Sequence, residues 1–402
     1  MIFGIQLEFY FFAIILLLVA IFSDKVLISS TLGLVVVSLY KIFFTGFHEG
    51  QGFLGFLLHC KTEWVNIVNL LMLLVGFELL SDHFSKSNIT NSVAKILPES
   101  WVGGFILLVF VFFISSFLDN IAAAIIGATI ASNLFNKKVH IGYLASIVAA
   151  SNAGGSGSVV GDTTTTMMWI AGISPAEIFH GYIAAIAALI VSSYFASRQQ
   201  HTYQPIIINN KKSNRLDWSR IFIVFFILVA AIWINLIINL KYSDISNSLP
   251  FIGLSIWAVL ILTIPLRKPK WSLIPGAFKG SLFLLALIFT TSLMPVENLP
   301  KASSISTFGV GFLSAFVNNI PLTSLAIKQG NYDWGMLAYC IGYGGSMIWF
   351  GSSAGVAVVN LFPKAKSTKL WLKDGWHVTF AYIVGYIAIM LIWGWHPTTI
   401  TK

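Results

Sequence analysis

The chain has 402 residues, 57% of them hydrophobic and 10% charged, and its mean hydropathy is +0.84. A soluble domain carries roughly 25% charged residues, so the composition excludes a water-soluble enzyme or binding module and specifies an all-α polytopic membrane protein. The net charge of +9 then belongs to loops facing a cytoplasm, not to a nucleic-acid surface.

Apolar segments run over 7–23, 26–45, 64–81, 101–135, 141–171, 176–197, 219–240, 250–267, 279–296, 302–328, 335–362 and 375–395. The first apolar stretch, Phe9 to Phe22, preceded by Glu8 and followed by Lys25, lacks a basic leader and a small-residue cleavage site, and reads as a retained helix. The only cysteines are Cys60, near a loop, and Cys340, inside an apolar segment; they support neither a disulfide nor a metal site, and no cofactor is expected.

One pattern occurs twice. Ser115-Ser116-Phe117-Leu118-Asp119-Asn120 lies mid-way along 101–135, and Ser314-Ala315-Phe316-Val317-Asn318-Asn319 mid-way along 302–328. Each is followed by a glycine-broken segment, Asn152-Ala153-Gly154-Gly155-Ser156 through Gly161 and Tyr343-Gly344-Gly345-Ser346 through Gly351. We read 101–135 and 302–328 as re-entrant hairpins, because irregular backbone at membrane depth survives only where protein or a water-filled cavity covers it. We read 141–171 and 335–362 as broken helices. Duplicated, broken polar segments of this kind point to a transporter site between two internal repeats.

The basic residues orient the chain. With neither hairpin crossing, ten helices span the membrane and both termini share one face. Eighteen Lys and Arg then fall on one side, including Lys137, Lys138, Arg198, Lys211, Lys212 and Arg215, and six on the other: Lys41, Lys61, Lys241, Lys301, Lys328 and Lys402. This threefold bias makes the first side cytoplasmic. The first hairpin then enters from the cytoplasm, the second from outside, and both termini lie outside, in a plasma or inner membrane. The expected organisation is scaffold helices over 1–63, a first repeat over 64–197, a cytoplasmic linker over 198–220, further scaffold over 221–278 and an inverted second repeat over 279–402.

Asp119 and Asp162 are the acids deep in the broken segments. A charge at membrane depth costs at least about 2.5–3.5 kcal/mol, so it persists where it faces a cavity and has work to do. Two carboxylates without a nearby Lys or Arg suit a small cation; burial favours the protonated carboxyl and a bound cation the ionised one, so proton and cation compete. The plainer readings are a turn residue for Asp119 and a helix N-cap for Asp162. Around them stand neutral oxygens and amides suited to a hard cation: Asn120, Asn152, Ser156, Ser158, Thr163 and Thr164 in the first half, Asn318, Asn319, Ser346 and Ser352 in the second. Asn318 matches Asp119 and Ser352 matches Asp162, so the first half holds the charge. Glu78, in an apolar helix, is a candidate proton-path residue, although it equally suits an interfacial helix end with Asp82 and His83.

Leu118-Asp119-Asn120 and the run from Ser151 through Asp162 to Thr165 resemble NhaD-type sodium/proton antiporters of the ion transporter superfamily. Phe316 to Leu322, Gly344-Gly345-Ser346 and Gly351-Ser352-Ser353-Ala354-Gly355 are similar to the matching second half. The likeness covers roughly residues 60–362. It implies exchange of sodium or lithium for protons, an elevator-like transport domain, a homodimer in the lipid bilayer, and Asp119 and Asp162 as the acidic ion-site residues. Ala122, Ala123 and Ala124 stand where the resemblance leads one to expect hydroxyl side chains.

Two alternatives stay open. An anion carrier of the same superfamily, for dicarboxylate, arsenite or silicate, is opposed by the acid at the hairpin tip. An intramembrane aspartyl protease would explain two membrane acids, but Leu118 precedes Asp119 and Val159 stands where a Gly-x-Gly-Asp motif needs glycine.

Overall fold

In the computed structural model the described residues are 6–21, 25–87, 97–207, 216–241, 248–295, 301–317 and 319–399. Asn318 lies outside them, as do Glu297, Lys95, Lys211, Lys212, Arg215 and Lys402. The described chain is helical, without a β-strand among those residues. In order the helices are α1 (Leu7–Ile21), α2 (Val26–Tyr40), α3 (Gly52–Ser85), α4 (Trp101–Ser115), α5 (Asn120–Leu134), α6 (Ile141–Ser156), α7 (Thr163–Ile170), α8 (Pro175–Phe179), α9 (Gly181–Tyr203), α10 (Trp218–Lys241), α11 (Phe251–Leu262), α12 (Ile274–Ser292), α13 (Ser304–Ser314), α14 (Asn319–Gln329), α15 (Trp334–Gly344), α16 (Ser353–Leu361), α17 (Thr368–Asp374) and α18 (Trp376–Ile392).

Among the described residues four stretches are long and apolar enough to cross a bilayer: 26–45, 52–84, 175–203 and 271–292. The pair α17–α18 makes a fifth, bent by 60°. This is a multi-pass membrane protein. One element departs from the apolar segments read in the sequence. The segment at 64–81 is the second part of α3, which begins at Gly52 because nothing in Phe53–Glu63 breaks a helix. Cys60 is therefore inside a helix, not near a loop.

The chain forms two compact units. The first comprises 1–83, 219–300 and 324–329. Here α2 packs on α1 and α12, and Phe12, Ile15, Val37, Leu287, Leu293 and Met294 form a buried apolar cluster. The part of α3 over 64–81 and the whole of α12 belong to this unit. Asn69 Oδ1 accepts from Gly253 N at 2.7 Å, tying α3 to α11.

The second unit comprises 84–218, 301–323 and 330–402. In it α4 packs on α5 and α6, α13 packs on α15, α6 and α15 pack on each other, and α9 packs on α4, α6, α15 and α18. Side-chain caps set most of the starts. Ser100 caps α4, Asp119 α5, His140 α6, Asp162 α7, Ser303 α13, Asp333 α15 and Ser352 α16; each oxygen or ring nitrogen satisfies an amide that the helix leaves open. The helix running to Ser156 stops at Gly157 and resumes at Thr163, and the one running to Gly344 stops at Gly345 and resumes at Ser353.

The two halves of this unit repeat the same contacts. Ser115 Oγ donates to Ser151 O at 2.5 Å, and Ser314 Oγ donates to Ile341 O at 2.7 Å. Ser115 and Ser314 hold the same place in the duplicated motif, and Ser151 and Ile341 each lie four residues before the second glycine of the pair. Gly154 and Gly344 let the broken helix touch the backbone of the helix beside it. A Cβ would lie 2.9 Å from Phe112 C at Gly154 and 2.8 Å from Gly311 C at Gly344.

These contacts generate a paired prediction. Gly154→Ala and Gly344→Ala should each lower the melting temperature of the detergent-solubilised protein, because the obstacle is backbone, by the ~1–3 kcal/mol usual for overpacking. Gly309→Ala, on an exposed face of α13 with nothing within 4 Å of the added carbon, should be neutral or stabilising by up to ~1 kcal/mol. Equal melting temperatures for Gly154→Ala, Gly344→Ala and Gly309→Ala would show that the close approach is not constrained.

Candidate ion-binding site

The polar centre of the second unit forms where α7 begins. Asp162 closes the break after α6 in extended conformation and caps α7, accepting from Thr164 N at 3.4 Å. Its carboxylate is 2% exposed and is met from three other directions. Thr164 Oγ1 donates to Oδ2 at 2.7 Å, Asn120 Nδ2 to Oδ1 at 3.2 Å, and Asn319 Nδ2 to Oδ2 at 3.5 Å. Asn120 Nδ2 also donates to Asn152 Oδ1 at 3.0 Å, and Asn152 Nδ2 donates to Ser346 Oγ at 2.9 Å. The first residues of α5 and α14, the end of α6, the start of α7 and the break after α15 thus contribute one side chain each.

Each position follows from local structure. Asn120 and Asn319 are the first residues of their helices and so point back to the turns. Asn152 lies in the last turns of α6 before Gly157 stops it. Gly155 leaves room for the return of the chain, since a Cβ there would lie 2.8 Å from Asp162 Cβ. Gly342 brings α15 so close that a Cβ there would lie 3.4 Å from Asp162 Oδ2.

Among the described residues Asp162 makes no ion pair, and every group that meets it is neutral. Four donors, at ~1.5–3 kcal/mol for each hydrogen bond to a charged group, are enough to hold a carboxylate at a depth where charge costs a few kcal/mol. They leave its negative charge uncancelled. Oxygen-rich and net negative, the arrangement suits a hard monovalent cation or a proton.

The other residues singled out in the sequence fall in different places. Asp119 is half-buried and caps α5, accepting from Ile121 N at 3.1 Å; it adjoins Asn120 in the chain. Ser156 is buried and donates to Ala153 O at 2.8 Å within its own helix. Ser158 donates to Ser116 O at 2.5 Å, tying the break to the α4–α5 turn. Thr163 opens α7 and is half-buried. Ser352, buried, caps α16 through Gly355 N at 3.2 Å, the place that Asp162 holds in the first half. Glu78 lies on α3 in the first unit with an exposed side chain. Asn318 is outside the described residues.

Sequence reasoning missed Asp333. It is fully buried in the second unit and meets His180 Nε2 at 2.6 Å. Asn331-Tyr332-Asp333 before an apolar run is a legible cap signal, but nothing in the sequence pairs it with a histidine 153 positions away.

The chain is similar over most of its length to known antiporters. It is 27% identical to Sodium/proton antiporter 1 of Arabidopsis thaliana over 372 residues, which is 81% of this chain and 60% of that protein. It is 27% identical to Sodium/proton antiporter 2 of the same plant over 329 residues, 71% of this chain and 73% of that protein. With the Na(+)/H(+) antiporter NhaD of Vibrio cholerae it shares 23% identity over 349 residues, 73% of this chain and 70% of that protein. No protein-family model matches the chain. The chain thus spans about 60% of the length of the first of these relatives and somewhat more of the other two. Its homologues are sodium/proton antiporters, in keeping with the resemblance carried by the residues around Asp119, Asp162 and Asn319.

The cap and the charge of Asp162 are separable. Asn caps a helix as well as Asp and keeps one acceptor oxygen, although its amide nitrogen cannot accept from Asn319, so Asp162→Asn should lose at most about 1 kcal/mol, a shift on the order of 1 °C for a chain of this size. Asp162→Ala removes the cap and strands the donors of Asn120, Thr164 and Asn319, and should lose about 1–3 kcal/mol. Equal melting of Asp162→Ala and Asp162→Asn would mean that these hydrogen bonds do not hold the site together.

Proposed function

We propose that the protein is a secondary active transporter, not an enzyme, that exchanges sodium or lithium for protons at Asp162. The observation that carries this reading is a buried carboxylate ringed by neutral amides and a hydroxyl from both halves of one compact unit, with no basic side chain on it among the described residues. Either a cation or a proton completes such a site, and the two exclude each other because both sit on the same oxygens. The names of the relatives support the same exchange. Asp119, beside Asn120 at the hairpin turn, is the second carboxylate of the site, and Asn152, Ser346, Asn319 and Thr164 are its neutral ligands. Asn318, Ser156, Ser158, Thr163 and Ser352 complete the proposed set, and Glu78 is a proton-path candidate.

The negative charge at Asp162 opposes an anion substrate, which would have to displace amide donors and still meet a carboxylate. The asparagine contacts likewise favour ion coordination over a paired-acid protease. The matched hairpins and breaks support an inverted repeat, with the second unit as the moving transport domain. The homodimer, the inner-membrane location and the outside placement of both termini rest on the family resemblance and the lysine and arginine distribution.

Two measurements test this reading. In proteoliposomes with an acidic interior, sodium or lithium added in turn should relieve quenching of a pH-sensitive dye. Asp162→Asn should abolish the response while still inserting and folding, and Asp119→Asn should reduce it severely. Normal exchange in the Asp162 variant would refute the site, and normal exchange in the Asp119 variant alone would confine it to one carboxylate. Single cysteines at Asn120 and Asn319, with Cys60 and Cys340 replaced, should label with an impermeant thiol reagent from opposite faces of the membrane. Labelling of both from the same face would rule out the inverted arrangement.

A further inference from the structure

We propose that Asp333 and His180 are positioning residues for the Asp162 site: their contact fixes the start of α15 against the start of α9, and α15 carries Gly342, with Ser346 in the break that follows it, to the Asp162 cluster. The proposal rests on the antiporter reading of that cluster.

Asp333 is fully buried, and three donors converge on it. Oδ1 accepts from Met336 N at 2.9 Å and from His180 Nε2 at 2.6 Å; Oδ2 accepts from His396 N at 3.0 Å. A carboxylate in this setting only accepts, so His180 Nε2 carries a hydrogen. His180 sits at the junction of α8 and α9, and its ring stacks on Trp393 with centroids 4.9 Å apart and planes 14° apart. Three stretches remote in sequence, around 180, 333 and 393–396, are thereby tied at one point.

The backbone at this point has no slack. A Cβ on Gly335 would lie 2.5 Å from His180 Cδ2 and 2.8 Å from Gly181 N. A Cβ on Gly181 would lie 2.6 Å from Gly335 O and 3.3 Å from Ser156 O. Two glycines therefore let the first turns of α9 and α15 meet main chain to main chain, and the Asp333–His180 contact lies over that meeting point.

The other end of α15 is the functional end. At about 1.5 Å per residue, Gly342 lies ~14 Å along the helix from Asp333. It faces Asp162 Oδ2, Ser156 Cβ and Asn152 O, all within 4 Å of a built Cβ. Four residues further on, Ser346 Oγ accepts from Asn152 Nδ2. A packed helix of three turns moves as a rod, so an untethered start displaces the far end, where the site has no room to give. The effect expected is weaker binding of the cation with chemistry at the carboxylate unchanged. A contact that only supports the fold would lower stability and leave cation affinity alone.

The test uses the full chain, in detergent and in proteoliposomes, with His180→Ala, His180→Gln and Gly335→Ala. Hydrogen–deuterium exchange is followed at 331–337 and at 341–352, and the half-saturating sodium concentration and maximal exchange rate are measured on each variant. His180→Ala and Gly335→Ala should lose protection at both ends of α15 and raise the half-saturating sodium concentration at least about fivefold, with the maximal rate within about twofold; affinity lost at constant maximal rate marks lost binding. His180→Gln, whose amide donates to the same oxygen, should restore both within about twofold. Protection lost only at 331–337, or lower melting temperature with unchanged sodium affinity, would overturn the proposal. If the unmodified protein moved no protons in response to any cation, the antiporter reading would fall, and the exchange at 341–352 would still decide whether the contact governs the far end of α15.

Discussion

A buried carboxylate without a basic partner is the constraint on which the rest of this protein depends. Asp162 is held by Asn120, Thr164 and Asn319 through neutral donors alone. A charge left uncancelled in the interior must be met by hydrogen-bond donors instead. The architecture around it follows from that demand. A carboxylate at membrane depth needs donors, and donors need helix ends. The starts of α5, α7 and α14 and the end of α15 supply those ends at one place.

The second unit brings these ends together by building the same contact twice. Ser115 on Ser151 O and Ser314 on Ile341 O tie α4 to α6 and α13 to α15, and Gly154 and Gly344 set the depth of the approach. The halves differ where the chemistry differs. The cap of the resumed helix is Asp162 in the first half and Ser352 in the second. One half thus carries the charge, and the other brings Asn319 and Ser346 to it.

Much of this was legible in the sequence, for particular reasons. The Asp-Asn and Asn-Asn turns and the glycine pairs are local signals, and each marks a helix end that exists: Asp119 and Asp162 are caps, and Gly157 and Gly345 are stops. Asn120, Asn152, Asn319 and Ser346 belong to the larger set of neutral side chains that the polar segments present, with Asn318, Ser156, Ser158, Thr163, Thr164 and Ser352. What sequence did not separate is which polar residues reach the carboxylate. Ser156 turns to its own helix and Ser158 to the α4–α5 turn, choices made by rotamer and packing that composition does not encode. Cys60 was misplaced because the start of α3 at Gly52 follows from the absence of a breaker, a weaker signal than the apolar run it precedes. Asp333 escaped because its meaning lies in His180 and His396, which only the fold delivers.

The central claim is that proton and cation occupy the same carboxylate oxygens. Proton release on cation binding measures this directly. Sodium is added to the purified protein in weakly buffered detergent across a pH series, and the protons set free are counted with an indicator dye. Competition at Asp162 predicts release at the acid end of the series, a fall towards zero once the carboxyl is already ionised, and none at any pH in Asp162→Asn. Saturable sodium binding without proton release at every pH would mean that the two ions use separate sites, and would contradict the claim.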